Sequence, residues 1–185
     1  IAVTLNTDAA VPIGTPLAHT FSATTSAQDT TPGDNTITWA GSVVGAVDPN
    51  DKQVVPATMT PVQVQAGGAL EYTIRFQNTG TFAAQRVIIT DTLSNDLLWN
   101  TMDLVSSSHT TEWYIHHGVL HLVMDPINLP DSTSDEPNSH GYVRFRMRPV
   151  NTLLNGAQIL NVANIYFDFN APVITAPAVF TVDES

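Results

Sequence analysis

The sequence contains no cysteine, which excludes disulfide bonds and thiol chemistry in all 185 residues. Basic residues are scarce, with six Lys and Arg against 17 Asp and Glu and a formal net charge of −11. Nucleic-acid binding needs a basic surface, and an anionic membrane surface repels an acidic chain, so we expect neither partner. No apolar run approaches the ~20 residues of a membrane-spanning helix, so we expect no membrane insertion.

The sequence also lacks the 3.6-residue apolar period of an amphipathic helix, and it shows alternation instead. Apolar and polar residues alternate without a fault through 70–77 and again through 143–148, where three arginines share one face. Segments 87–91 and 159–169 are more apolar, as expected of central strands. Short strands separated by turn residues and prolines predict an all-β fold, an Ig-like antiparallel β-sandwich with little helix.

A hairpin is predicted where the His-Gly dipeptide at 117–118 separates the strand-like segments 113–116 and 119–123. This hairpin would place His116 and His121 on one face. A zinc site needs three or four convergent ligands, and the pattern brings at most two together. The histidines are therefore interpreted as surface imidazoles.

An internal repeat sets the predicted domain organisation. Segments 3–38 and 143–169 share one pattern of strand, glycine-containing turn, second apolar strand and Asp/Asn-rich loop. We therefore interpret residues 1–45 as the C-terminal strands of an incomplete Ig-like domain. An Asp/Asn-rich linker over 46–53 and a complete Ig-like β-sandwich over 54–185 would follow.

The incomplete N-terminal part needs a partner, because three strands with one apolar face cannot bury that face alone. Three partners are open: upstream strands in a longer tandem array, the adjacent domain of the chain, or a neighbouring copy. In the last case copies would assemble by strand complementation. The chain begins at Ile1 without a leader, so we expect a mature product or a fragment.

Several long motifs resemble a known family over about residues 45–182. They are Gly45-Ala46-Val47-Asp48-Pro49-Asn50-Asp51-Lys52, Tyr72-Thr73-Ile74-Arg75-Phe76-Gln77-Asn78-Thr79-Gly80, 87–93, 107–109, 129–137, 139–143 and 164–172. Together they resemble the conserved-repeat, DUF11-like β-sandwich domains of large secreted Bacteroidota proteins, found upstream of type 9 secretion sorting domains. The resemblance implies an extracellular or outer-surface stalk, adhesin or fibre component and not an enzyme.

A calcium site is one interpretation of the linker. Asp48, Asn50 and Asp51 offer closely spaced oxygens beside a stiffening proline, which suits a hard cation such as Ca²⁺. Lys52 argues against it, because an ammonium group could neutralise the same carboxylates. The alternative is an Asx-type turn that sets the direction of the linker, and calcium is the one cofactor considered.

Aromatic residues suggest a second kind of site. Trp99, Trp113 and Tyr114 could form a stacking platform for a carbohydrate. The alternative is core packing at the ends of strands. Exposure of these rings on one surface would favour the carbohydrate-binding interpretation.

Three short motifs suggest covalent modification. The tripeptides that contain Thr30, Thr92 and Ser132 resemble the Asp-Ser/Thr motif for O-glycosylation in Bacteroidota. Thr30 and Ser132, which lie in predicted loops, are the better candidates.

An intramolecular Lys–Asn isopeptide bond strengthens some bacterial surface sandwiches, and it needs a buried carboxylate beside the two reacting side chains. Lys52 is the only lysine of the chain. Asn164 or Asn170 could be the acceptor, and Glu71 could be the carboxylate, although its alternation points it outward. The alternative is an exposed lysine.

No catalytic set is predicted. Ser107-Ser108-His109 places hydroxyl groups near an imidazole, but the nucleophile elbow of a hydrolase is absent from the sequence. The sequence favours a non-enzymatic structural or adhesin module whose partners are copies of itself or adjacent domains of a longer chain. The alternative is a carbohydrate-binding module or an accessory domain of a secreted hydrolase.

Overall fold

The computed structural model describes residues 16–24, 28–42 and 49–184. The chain divides into two compact units, an N-terminal unit over 1–47 and a C-terminal unit over 48–185. The first of the three strands expected in the N-terminal part lies outside the described residues.

The described part of the N-terminal unit is an antiparallel hairpin. Strand β1 is Pro16–Ser22 and strand β2 is Thr36–Ser42, with a 3₁₀ turn at Pro32–Asp34 between them. The register runs without a bulge from the pair Pro16 and Ser42 to the pair Ser22 and Thr36. Strand β1 falls at the second apolar strand that the repeat pattern predicts within the segment 3–38.

The two faces of this hairpin differ in polarity. Phe21, Ile37 and Trp39 lie on one face and are 41%, 68% and 53% exposed, and the His19 ring stacks on Trp39 at 5.9 Å. The other face carries hydroxyl groups, such as the Thr20–Thr38 pair at 3.3 Å. The hairpin therefore presents an exposed apolar face, which we call the hairpin face.

Twelve strands and two short helical segments form the described part of the C-terminal unit. The strands are β3 Asp51–Val55, β4 Thr58–Met59, β5 Leu70–Gln77, β6 Val87–Thr92, β7 Leu97–Ser107, β8 Glu112–His116, β9 Val119–Met124, β10 His140–Pro149, β11 Gln158–Asn161, β12 Ala163–Phe167, β13 Val173–Ile174 and β14 Ala178–Val182. The helical segments are α1 Pro61–Gln65 and a 3₁₀ turn Glu136–Asn138. No helix in the described ranges is long and apolar enough to cross a membrane.

The strands of the C-terminal unit form three sheets. One has the order β3-β5-β10-β7, the second β13-β12-β6-β9-β8, and the third β11-β14-β4. All pairings are antiparallel except the short parallel contact between β14 and β4. The predicted all-β, Ig-like antiparallel sandwich is confirmed.

The buried faces of the sheets form one hydrophobic core. Strands β5 and β10 alternate buried and outward residues along their whole length, as predicted. Tyr72 and Phe145, opposite each other on these strands, stack at 5.3 Å between ring centroids. Phe76 of β5 meets Phe167 of β12 edge to face at 6.3 Å, so the four-stranded and five-stranded sheets pack together.

The predicted hairpin over 113–123 is present as β8 and β9. His117 and Gly118 form its turn with positive φ angles of 48° and 76°, a conformation that suits the second residue because it is glycine. Tyr114 lies opposite His121 in the register. The period-two pattern and the turn dipeptide were sufficient to predict this hairpin.

The predicted linker over 46–53 extends too far. Residues from Asp51 onward belong to β3, which pairs with β5 and places Lys52 opposite Ile74. The sequence concealed this strand because a lysine occupies a position that faces the core. In the alternation of β3, Lys52 and Val54 are buried while Gln53 is exposed.

Candidate functional site

A completely buried ion pair joins two sheets of the C-terminal unit. The Lys52 Nζ donates a hydrogen bond to Asp91 Oδ2, and both side chains have 0% exposure. Lys52 lies on β3 of the four-stranded sheet and Asp91 on β6 of the five-stranded sheet. The pair therefore crosses the interior of the sandwich.

Two aromatic rings of the core surround the lysine. The Nζ atom lies 5.0 Å from the centroid of the Tyr72 ring and 5.6 Å from that of Phe145. Both rings are fully buried. The ammonium group thus has ring faces and one carboxylate around it in place of water.

Asn161 adds a third polar side chain to this region. It is the last residue of β11 and is 1% exposed, and Ala163, two residues further on, lies opposite Asp91. Neither the Nδ2 nor the Oδ1 atom of Asn161 has a hydrogen-bond partner. We refer to Lys52, Tyr72, Asp91 and Asn161 as the interior polar cluster.

Unpartnered polar atoms are concentrated in this cluster. In the described residues, five buried side-chain N and O atoms lack a hydrogen-bond partner, and four of them belong to the cluster: Tyr72 Oη, Asp91 Oδ1 and both polar atoms of Asn161. Leaving a buried polar atom unpaired costs about 1–3 kcal/mol. Such a concentration requires a specific explanation.

Burial shifts the ionisation of the cluster toward neutral forms. Desolvation lowers the pKa of Lys52 against the opposing attraction of Asp91, and desolvation raises the pKa of Asp91 against that of Lys52. Burial, followed by the Asp91 charge, raises the pKa of Tyr72. The Asn161 carboxamide lowers the pKa of both Asp91 and Tyr72, so it lies beside them without reaching hydrogen-bond geometry.

The structure surrounds Lys52 with other residues than those that the isopeptide hypothesis named. Asn164 donates to Thr90 Oγ1 at 3.4 Å, and Asn170 is exposed. Glu71 lies on the outer face of β5, where it pairs with Arg144. None of these three predicted partners lies in the interior polar cluster.

The sequence contains a signal for the interior polar cluster. Lys52, Asp91 and Asn161 each occupy a core-facing position in the alternation of their strand. A lone polar residue at such a position is informative because core positions are normally apolar. The alternation within each strand does not show that the three side chains meet, because that depends on which strands face one another.

The structure places the residues of the calcium prediction in different environments. Asp48 lies outside the described residues. Asn50 is buried and its Oδ1 accepts from the Gln77 N–H at 3.2 Å, while Asp51 accepts from the Arg75 guanidinium at 2.8 and 3.1 Å. Within the described ranges, no group of three or more His, Asp or Glu side chains could hold a metal. The calcium site stays a prediction.

The aromatic residues of the carbohydrate prediction do not share one surface. The Trp99 ring is half-buried, and its indole N–H donates to the Ser94 carbonyl at 2.9 Å. Trp113 and Tyr114 are exposed, but as neighbours on β8 they point to opposite faces of the sheet. The Tyr114 ring stacks on His121 at 4.6 Å.

The three glycosylation candidates differ in exposure. Thr30 and Thr92 are exposed, whereas Ser132 is half-buried beside Asp131. The Asp131 carboxylate accepts from the Ser134 hydroxyl at 2.7 Å, which orders this loop. Glycosylation at these positions stays a prediction.

The serine–histidine segment after β7 has a structural role. The Ser108 hydroxyl lies 2.8 Å from His109 Nδ1 and accepts from the Tyr142 N–H, also at 2.8 Å. The Tyr142 carbonyl in turn accepts from the Ser108 N–H at 3.0 Å. These bonds tie the end of β7 to β10.

Comparison with known proteins gives a family and a fold. The family model described as "Domain of unknown function (DUF7619)" matches residues 48–181. A search of curated proteins finds no match.

Two solved structures share the fold at low sequence identity. The N-terminal domain of the Streptococcus gordonii adhesin Sgo0707 has a TM-score of 0.53 and 11% identity, over 80% of this chain and 35% of that one. Domains D2 and D3 of the major pilin SpaD from Corynebacterium diphtheriae give 0.53 and 14%, over 70% of this chain and 51% of that one. The chain thus spans about a third to a half of these proteins, and the likeness shows the fold.

Proposed function

The chain belongs to the DUF7619 family of domains of unknown function, and we propose that it is a non-enzymatic structural module of a bacterial surface stalk, fibre or adhesin. The supporting observation is the interior polar cluster, which crosses a sandwich whose fold is shared with an adhesin and a major pilin. A module of this kind transmits force through its strands, and a connection between sheets resists their separation. Extracellular display follows from this role and belongs to the same proposal.

We propose further that neighbouring copies assemble by strand complementation at the hairpin face. A two-stranded hairpin is at best marginally stable in water by itself, and the exposed apolar face of the described hairpin would gain stability from a partner sheet. The sequence of the hairpin repeats the pattern of β11 to β14, and in the C-terminal unit Ile159 and Phe180 of the equivalent strands are buried in a sandwich. A second copy can offer an equivalent apolar sheet.

Particle size under native conditions tests the assembly. We expect elongated regular particles by negative-stain electron microscopy, with a mass in sedimentation that rises with protein concentration. Trp39→Ser, which removes the largest ring of the hairpin face, should abolish assembly. Thr38→Ser, on the opposite face of the same strand, is the matched control and should leave it unchanged. Monomers of the unaltered protein at all concentrations would contradict strand complementation.

A carbohydrate-binding module is the second candidate, supported by the exposure of Trp113 and Tyr114, 42% and 51%. Because the two rings point to opposite faces, each would stack on a separate sugar. Binding to a glycan array that is lost in Trp113→Ala but retained in Trp99→Ala would favour this candidate. Export by type 9 secretion in a member of the Bacteroidota rests on the sequence resemblance alone and is part of the proposal.

A further inference from the structure

We propose that the C-terminal unit forms an intramolecular isopeptide bond between Lys52 Nζ and Asn161 Cγ, with Asp91 carrying the protons. The bond would connect β3, at the start of the unit, with β11 near its end. It is a covalent modification site inside the sandwich, and it does not depend on the surface role proposed above.

The geometry supplies the three reacting groups together. The Lys52 amine contacts the Asp91 carboxylate and lies over the Tyr72 ring. The Asn161 side chain is buried two residues before Ala163, which lies opposite Asp91, and its carboxamide lowers the pKa of both Asp91 and Tyr72. Nucleophile, proton carrier and acceptor therefore meet in one volume from which water is excluded.

The unpartnered atoms fit a reacting cluster better than a structural ion pair. A buried ion pair alone would account for Lys52 and one oxygen of Asp91, but it leaves Asn161 Nδ2 and Oδ1 without a role. The reaction removes Nδ2 from the protein and gives Oδ1 a donor in the protonated Asp91. It therefore relieves the unsatisfied polar atoms that the cluster otherwise contains.

Burial favours the neutral, reactive form of the Lys52 amine. An ammonium group has no lone pair and cannot attack a carbonyl carbon, so nucleophilic catalysis by lysine depends on desolvation of the amine. Burial lowers the pKa of Lys52 and raises that of Asp91. Transfer of one proton from Nζ to the carboxylate produces a neutral amine beside a neutral carboxylic acid.

The reaction balances without any co-reactant. The neutral Nζ attacks Asn161 Cγ, while the Asp91 carboxyl group donates a hydrogen bond to Oδ1 and stabilises the developing negative charge. Asp91 then relays a proton from Nζ to Nδ2. The Cγ–Nδ2 bond breaks, ammonia leaves, and the Nζ–Cγ amide bond remains, with no change in oxidation state.

Intact-mass measurement of the denatured protein tests the bond directly. We expect a mass below that of the sequence by one ammonia, about 17 Da, because one C–N bond replaces another with loss of NH₃. A succinimide at Asn155-Gly156 would remove the same mass but would leave the amine of Lys52 reactive. Since Lys52 is the only lysine, an amine-specific label should attach to the denatured protein only at its N-terminus.

Three variants assign the residues. Asn161→Ala removes the acceptor, and Asp91→Asn removes the proton carrier while preserving side-chain size. Both should show the full mass and a second labelled amine. Asn164→Ala is the matched control, because Asn164 lies on the following strand and binds Thr90 instead; it should retain the mass loss.

Peptide mapping identifies which two side chains are bonded. After trypsin, the peptide that contains Lys52 should be joined to the one that contains Asn161, with no cleavage at Lys52. Full mass, together with a labelled Lys52 after the unaltered protein is denatured, would overturn the proposal. A mass loss that persists in Asn161→Ala would overturn the assignment of Asn161.

Discussion

Lys52 occupies a core-facing position of β3 at which most proteins would place an apolar side chain. Burying an ion pair in this way rarely increases stability over apolar residues of similar volume, because both charges lose their hydration. The retention of Lys, Asp and Asn in one interior volume therefore points to a chemical purpose. The aromatic rings of Tyr72 and Phe145 exclude water from it.

The charged residues on the outer face of the same sheet form ion pairs that are partly exposed to water, unlike the buried pair of Lys52. Glu71 on β5 pairs with Arg144 and, at 3.3 Å, with Arg146 on β10. The hydrogen bond from Arg144 is the main cause that lowers the pKa of Glu71. Because these groups are partly exposed, water screens the interaction, and its contribution to stability is small.

At the residue scale we predict that Glu71→Gln lowers the free energy of unfolding at pH 7 by less than about 1 kcal/mol. The folded-state pKa of Glu71 lies below its unfolded value, so its contribution is present above the unfolded pKa and is lost as the pH falls through the folded one. The difference from the unaltered protein should therefore shrink in acid. Urea unfolding at pH 7 and pH 3 measures the difference in the free energy of unfolding between the two proteins.

Glu112→Gln provides the comparison for this prediction, since it removes one negative charge from the edge strand β8 instead. A difference for Glu71→Gln that stays constant between the two pH values would contradict the assigned role of the Glu71–Arg144 pair.

The turn between β8 and β9 is the element whose conformation depends most directly on one residue. Gly118 has a φ of +76°, and a Cβ added there would come within 2.9 Å of the Trp99 ring. A side chain at this position would meet both backbone strain and a steric clash. Gly156 has a similar φ of +85°, but no atom lies within 4 Å of an added Cβ.

At the element scale this contrast gives a prediction. Gly118→Ala should lower the free energy of unfolding by about 2–4 kcal/mol, from strain and the clash with Trp99 together. Gly156→Ala should cost about 1–2 kcal/mol, from strain alone. Urea unfolding of the two variants measures the difference, and equal costs would show that Trp99 moves away without resistance.

For the whole molecule, the proposed bond determines how the C-terminal unit responds to force. A covalent link between β3 and β11 would prevent extension of residues 53–160, which lie between the bonded side chains. A stalk made of such units would therefore lengthen little when it is pulled. In the chain-entropy view, closing a loop of about 100 residues also stabilises the folded state by ~4–5 kcal/mol, as for a disulfide.

Single-molecule stretching tests the prediction at this scale. Unfolding of Asn161→Ala should release about 370 Å more chain than unfolding of the unaltered protein, at ~3.4 Å for each residue from 53 to 160. Asn164→Ala should release the same length as the unaltered protein. Equal lengths for all three proteins would show that no covalent link bears the load.

Local features of this protein follow from short-range patterns in the amino-acid sequence. Alternation of period two predicted β5, β10 and the direction of their side chains, and the His-Gly dipeptide predicted the turn between β8 and β9. These features depend on neighbouring residues along one strand, so they can be derived without a partner strand. The same reasoning extended the linker into β3, because a core-facing lysine contradicts the usual pattern.

The packing of the sheets determines which polar residues meet inside the sandwich. Lys52 and Asp91 are 39 residues apart and lie on different sheets, and Asn161 reaches them from a third sheet. The alternation of a strand determines which side chains face inward, but the packing of sheets determines which of them face one another. The sequence therefore led to Asn164, Asn170 and Glu71, whereas the folded chain places Asp91 against the lysine and buries Asn161 in the same interior polar cluster.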